Sequence, residues 1–164
     1  MTLKFEDLRV LQVAESIADN MWHQVVHWDA FARDTVGKQM ARAADSIGAN
    51  IAEAFGRFHY GEKLQFLYYA RGSLFETKYW LNRTLARELM PAGQVQEYVS
   101  QLSDLARQLN AFASSLKNQR REGQQQSQKV SEASVEYVSV KSTGVTEDLF
   151  PEDELHWLQT LPEP

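Results

Sequence analysis

Apolar residues recur at spacings of three and four over four long stretches of the chain. From about Phe5 to Trp28, the positions Leu8, Leu11, Ala14, Ala18, Trp22 and Val25 line one side of a helix. Glu6 and Asp7 place negative charge where a helix N-terminus favours it. From about Thr35 to Phe55 the stripe is Val36, Met40, Ala43, Ala44, Ile47, Ile51 and Phe55, and Gly56 is placed to end it in a left-handed cap. From about Glu62 to Leu89 the apolar side is Leu64, Leu67, Leu74, Leu81 and Leu85, with Tyr68 and Phe75 beside it, and Pro91 and Gly93 stop it. From about Gln94 to Arg121, Val95, Tyr98, Val99, Leu102, Leu105, Leu109, Phe112 and Leu116 fall at near-heptad spacing, and Lys117, Arg120 and Arg121 suit the C-terminal end.

The links between these segments are short, which favours antiparallel neighbours. The pattern predicts an all-α fold: an antiparallel up-down-up-down four-helix bundle over residues 1–121. Residues 122–146 change character. The run Gly123 to Gln128 is low in complexity and reads as a linker, and Ser134 to Val140 alternates loosely as a short strand would. Residues 147–164 mix acid with Leu149, Phe150, Leu155, Trp157, Leu158 and Leu161, and Glu152 to Leu161 has the spacing of a short amphipathic helix. Two readings stand: a solvated acidic tail, or a docking peptide anchored by Phe150, Leu155, Trp157 and Leu158 in a partner's groove.

Charge sharpens this division. Of 164 residues, 1–121 carry 15 Lys and Arg against 13 Asp and Glu, a balance of +2, whereas 122–164 carry 2 against 9, a balance of −7. A slightly basic body is therefore joined to a C-terminal acidic extension. The chain has no cysteine, which excludes disulfides, thiol catalysis and thiolate metal sites. Its start has no basic-then-apolar leader, and charges interrupt every apolar stretch, so a cytoplasmic protein with no membrane partner is expected.

Chemical motifs are sparse. His23 and His27 have the four-residue spacing of a zinc-binding helix, but Gln24 stands where the catalytic glutamate of such a motif would be, and no third ligand is evident. The paired Glu-x-x-His motifs of a di-iron bundle do not occur in residues 1–121. No phosphate-binding loop, nucleophile elbow or other catalytic constellation is present, so no cofactor, no metal and no enzymatic activity are expected. A small-residue stripe, Ala44, Gly48 and Ala52, suits close helix packing, with Gly72 and Ser73 as a counterpart, and Asn50 among them is placed to fix register. The basic residues supply the candidate nucleic-acid contacts: Lys38, Arg42, Arg57, Lys63, Arg71 and Lys78. Lys63, Arg71 and Lys78 share a side of the third helix, and the acidic tail would compete for them.

At the second and third segments the chain resembles a known family. The run from Gln39 to Arg57, with Asn50-Ile-Ala-Glu53 and Gly56-Arg57, is similar to its first signature. The run from Phe66 to Glu76 is similar to its second, and Phe5-Glu-Asp-Leu8 also matches, although Ala54 replaces a usual glycine. This is the bacterial family first recognised as proteins encoded in intervening sequences of 23S ribosomal RNA genes. The accessory variability determinant proteins of diversity-generating retroelements are its relatives. The resemblance covers residues 3 to about 119. It implies a four-helix bundle assembling as a homopentamer and, by the retroelement relatives, an accessory protein that binds RNA or DNA and partners a reverse transcriptase. The alternative is a protein-interaction scaffold that works through its C-terminal tail.

Overall fold

A computed structural model describes the backbone of residues 8–131 and 148–162, with side chains described to residue 121 and from residue 148. The described residues are all helical, without strands. The elements are α1 (Arg9–Val25), a three-residue turn α2 (Ala30–Ala32), a π-helical stretch (Arg33–Gly37), α3 (Lys38–Gly56), α4 (Tyr60–Ala86), α5 (Ala92–Ser131) and α6 (Glu152–Gln159). Asp29 starts the α2 turn: its Oδ1 accepts from the amides of Phe31 (3.0 Å) and Ala32 (3.1 Å), two donors a helix N-terminus leaves unpaired. The chain then runs through the wider π turns directly into α3.

Four long helices pack in a closed cycle, α1 on α3, α3 on α4, α4 on α5 and α5 on α1. The inward stripes meet in one core, with Ile17, Met21, Met40, Ile47, Ile51, Leu67, Leu74, Leu81, Leu102, Leu105 and Leu109 almost wholly excluded from water. Each such aliphatic side chain contributes about 1.5–3 kcal/mol of burial. Asn50 joins α3 to α4: its Nδ2 donates to the Ser46 carbonyl (2.8 Å) and to Ser73 Oγ (3.3 Å).

Several expectations change on inspection. The inward turn of α1 is taken by Met21, and Trp22 stands 55% exposed. Residues Phe5 to Asp7, expected to open the first helix, lie outside the described residues, and the helix ends at Val25 rather than Trp28. No described glycine has a positive φ, so Gly56 does not form a left-handed cap, and α3 ends instead as Arg57 turns to extended backbone. The left-handed cap occurs after α4, on Glu88 (φ 56°). There Leu89 N–H donates to Thr84 O (2.9 Å) and Glu88 N–H to Leu85 O (3.1 Å), the paired bonds of a Schellman ending.

The glycine expectations also move. A Cβ on Gly48 would meet Leu11 Cδ1 at 3.8 Å and Ala14 Cβ at 3.9 Å, ordinary contacts, and one on Gly72 would meet nothing within 4 Å. The close approach is at Gly37, where a Cβ would lie 2.6 Å from Val25 Cγ1. Finally, α5 does not stop at Arg121. It continues through Gly123 and the glutamine run to Ser131, so residues 122–131 are helix rather than linker. The expected strand at 134–140 lies outside the described residues.

A candidate interaction face on α4 and the segment that covers it

Arg71, Phe75 and Lys78 follow one another at spacings of four and three, so α4 presents them in a line on one face. Across from them α5 presents Gln96 and Asn110. The groove between is filled by the chain's own C-terminal segment. Leu149, Phe150, Leu155 and Leu158 are buried there, with Phe150 1% and Leu158 0% exposed.

The polar contacts are as specific as the apolar ones. Asn110 holds Phe150 by its backbone: Oδ1 accepts from Phe150 N–H and Nδ2 donates to Phe150 O, both at 2.8 Å. Arg71 Nη2 donates to both carboxylate oxygens of Glu154, each at 2.6 Å. Its guanidinium lies 4.9 Å from the Phe75 ring centre and 5.7 Å from that of Phe150. Phe75 itself stacks with two rings of the segment, Phe150 at 6.0 Å and 14° and Trp157 at 5.4 Å and 17°. Lys78 Nζ donates to the Thr160 carbonyl and lies 5.8 Å from the Trp157 ring centre. The Lys78 side chain is wholly buried, and desolvation lowers its pKa to about 8. Gln96 Nε2 donates to the Gln159 carbonyl at 3.3 Å.

The segment is shaped for this seat. Pro151 precedes α6, and Glu152, Asp153 and Glu154 fill its first turn, where negative charge complements the helix dipole. Leu155 and Leu158, three apart, both face inward. Of the four proposed anchors, Phe150, Leu155 and Leu158 are seated on the chain's own helices, while Trp157 keeps 45% of its surface in solvent.

The remaining candidate cations lie elsewhere. Lys38 and Arg42 are exposed, one turn apart on α3, and Lys63 is half-buried in the first turn of α4. Arg57 is paired with Glu53 and stands 4.7 Å over the Phe66 ring, which in turn meets Tyr69 edge to face. The six cations thus divide into Arg71 and Lys78 under the C-terminal segment, and Lys38, Arg42, Arg57 and Lys63 on α3, at its end and in the first turn of α4. The open groove of about 390 Å³ between α1 and α3 is bordered by Glu15, Asp19 and Asp45. Burial and the neighbouring Asp19 charge raise the Asp45 pKa, a setting that repels phosphate. His27 Nδ1 lies 2.6 Å from the His23 carbonyl oxygen and so donates to it. No group of three or more His, Cys, Asp or Glu converges among the described residues.

Sequence reasoning singled out Arg71 and Lys78 as nucleic-acid contacts and the four tail residues as anchors for a partner's groove, but it did not pick out Phe75 as the stacking platform, nor Asn110. One signal was available for the former. Phe66, Tyr68, Tyr69, Phe75, Tyr79 and Trp80 all fall off the stripe of Leu67, Leu74 and Leu81, as on a helix that is covered on a second face as well. Asn110, between Leu109 and Phe112, carries no such signal.

A family model described as 23S rRNA-intervening sequence protein matches residues 6–111. The chain belongs to that family. The match takes in α1, α3, α4 and the first half of α5, and ends one residue after Asn110. The segment that fills the α4–α5 groove lies beyond it. A search of curated proteins found no match. No described helix is long and apolar enough to cross a membrane.

Proposed function

We propose that this family member is a non-enzymatic accessory protein of the cytoplasm that binds nucleic acid. Its four long helices form an antiparallel up-down-up-down bundle, and its copies assemble as a homopentamer. A reverse transcriptase of a diversity-generating retroelement is the partner that the resemblance suggests. The observation that carries the reading is the alternation of cation and aromatic ring along α4, Arg71–Phe75–Lys78, followed in kind by Arg57 over Phe66. Cations neutralise phosphates and rings stack on bases. Lys38, Arg42 and Lys63 add positive charge elsewhere on the helical body, and a ring of five subunits would repeat each contact five times.

The test is binding of labelled RNA and DNA by the purified chain at ~50 mM salt. The reading expects binding that weakens steeply as salt rises, by about one log unit of affinity per log unit of salt for each phosphate neutralised. No binding at low salt, with or without residues 147–164, contradicts it.

A second reading has its own observation. Asn110 grips a peptide backbone, and the groove around it takes Phe and Leu side chains, which suits a protein-interaction scaffold without nucleic-acid binding. That reading expects deletion of residues 147–164 to change the set of co-purifying proteins while the helical body stays folded. An unchanged set counts against it.

A further inference from the structure

We infer that residues 149–161 are a built-in mimic of single-stranded nucleic acid, seated on Arg71, Phe75 and Lys78 and displaced when a strand takes that stripe. This rests on the nucleic-acid reading above and adds to it the form of the ligand and the way its site is controlled.

What the stripe receives from the segment is what a strand offers. The Glu154 carboxylate sits on Arg71 as a phosphate would, with both oxygens on one guanidinium nitrogen. Phe150 and Trp157 both stack near-parallel on Phe75, at 14° and 17°, as bases stack on an aromatic platform. Lys78 receives another oxygen acceptor, the Thr160 carbonyl. Arg71 and Lys78 are seven residues apart, about 10.5 Å along the helix axis, with the ring between them. A duplex hides its base faces in its own stack, whereas a single strand exposes them, so the stripe selects single strands.

Lys78 argues against a merely structural seat. A wholly buried ammonium that donates to a backbone carbonyl is a poor core element, because an apolar side chain of similar volume would fill the space without the desolvation cost. A lysine is explained there if the groove must also face phosphate. The segment is tethered to α5 through residues 132–147, sixteen residues that reach at most about 54 Å. A tethered competitor acts at an effective concentration set by its covalent attachment rather than by the protein concentration. The intact chain is therefore a weak binder and the released chain a strong one.

The experiment compares fluorescence anisotropy of a labelled twelve-nucleotide oligouridylate and a hairpin duplex at ~50 mM salt. The proteins are the full chain, Leu158→Asp, Glu154→Gln, and a chain ending at residue 147. The expected result is at least tenfold tighter oligouridylate binding by Leu158→Asp and by the shortened chain, lost again when Phe75→Ala is added, with no such gain on the duplex. Glu154→Gln keeps both leucine anchors, so it serves if the other two misfold. It should tighten binding three- to tenfold, while the control Glu152→Gln leaves it unchanged. Equal affinity for the full chain and all released forms overturns the mimic and leaves the nucleic-acid reading standing. A gain of the same size on the duplex also overturns it. Absence of binding by every form removes the nucleic-acid reading and the mimic together.

Discussion

At the scale of single residues, the physics turns on two glycines and a lysine. Gly37 is needed for space, since a Cβ there would press into Val25 and lie 3.2 Å from the Trp28 ring. Gly37→Ala should lower stability in chemical denaturation by about 1–3 kcal/mol, the usual cost of overpacking. Gly48 has room for a Cβ, so Gly48→Ala should leave the fold intact and raise stability by up to about 1 kcal/mol through helix propensity. The opposite ordering of the two variants would mean that the packing of α1 on α3 is wrongly described. Lys78 gives a pH signature. Its folded pKa of about 8 lies below the ordinary 10.5 because burial disfavours the charged form. Between those values the unfolded chain keeps a proton that the folded chain has released, so stability rises with pH, by at most about 1.4 kcal/mol per unit. Tyr60 and Tyr98, raised above 10 by burial, act in the opposite direction only at higher pH. Urea titrations from pH 8 to 10 should show the rise in the native chain and its loss in Lys78→Met. A flat native profile contradicts the burial.

At the scale of elements, the four long helices were legible because their stripes are regular, and the departures have local causes. Met21, one residue from Trp22, takes the inward position and leaves the larger indole in solvent. The glutamine-rich run reads as a linker by composition. Glutamine and lysine are good helix formers, however, and one glycine costs only about 1 kcal/mol once a helix is nucleated, so α5 continues to Ser131. The seat of the C-terminal segment was legible on one side only. Leu155 and Leu158 announce an amphipathic helix, but the groove is assembled from positions on two helices that no single periodicity connects. The left-handed cap was expected on Gly56 at the end of α3, because glycine is the usual residue there, but it occurs on Glu88 after α4. Glu88→Gly should therefore add about 0.5–1 kcal/mol to stability, as left-handed backbone strain is relieved against the added freedom of the unfolded chain. Thermal denaturation reads it, and a drop in the melting temperature would mean that Glu88 is not strained.

At the scale of the whole molecule, the chain joins a slightly basic helical body to an extension of charge −7, whose described residues 148–162 are packed against the body. The family match accounts for the body to residue 111. The C-terminal segment, residues 148–162, closes the α4–α5 groove, covers Arg71 and Lys78, and removes Phe150, Leu155 and Leu158 from water. Every functional reading of this chain depends on that closure, since it decides whether the α4 face meets solvent or the protein's own acidic segment. It is tested most directly by nuclear Overhauser contacts between the Trp157 indole and the Phe75 ring in the intact chain. The 5.4 Å separation of the ring centres predicts clear cross-peaks that disappear in Leu158→Asp while the α1–α3 contacts persist. Their absence from the intact chain would contradict the account.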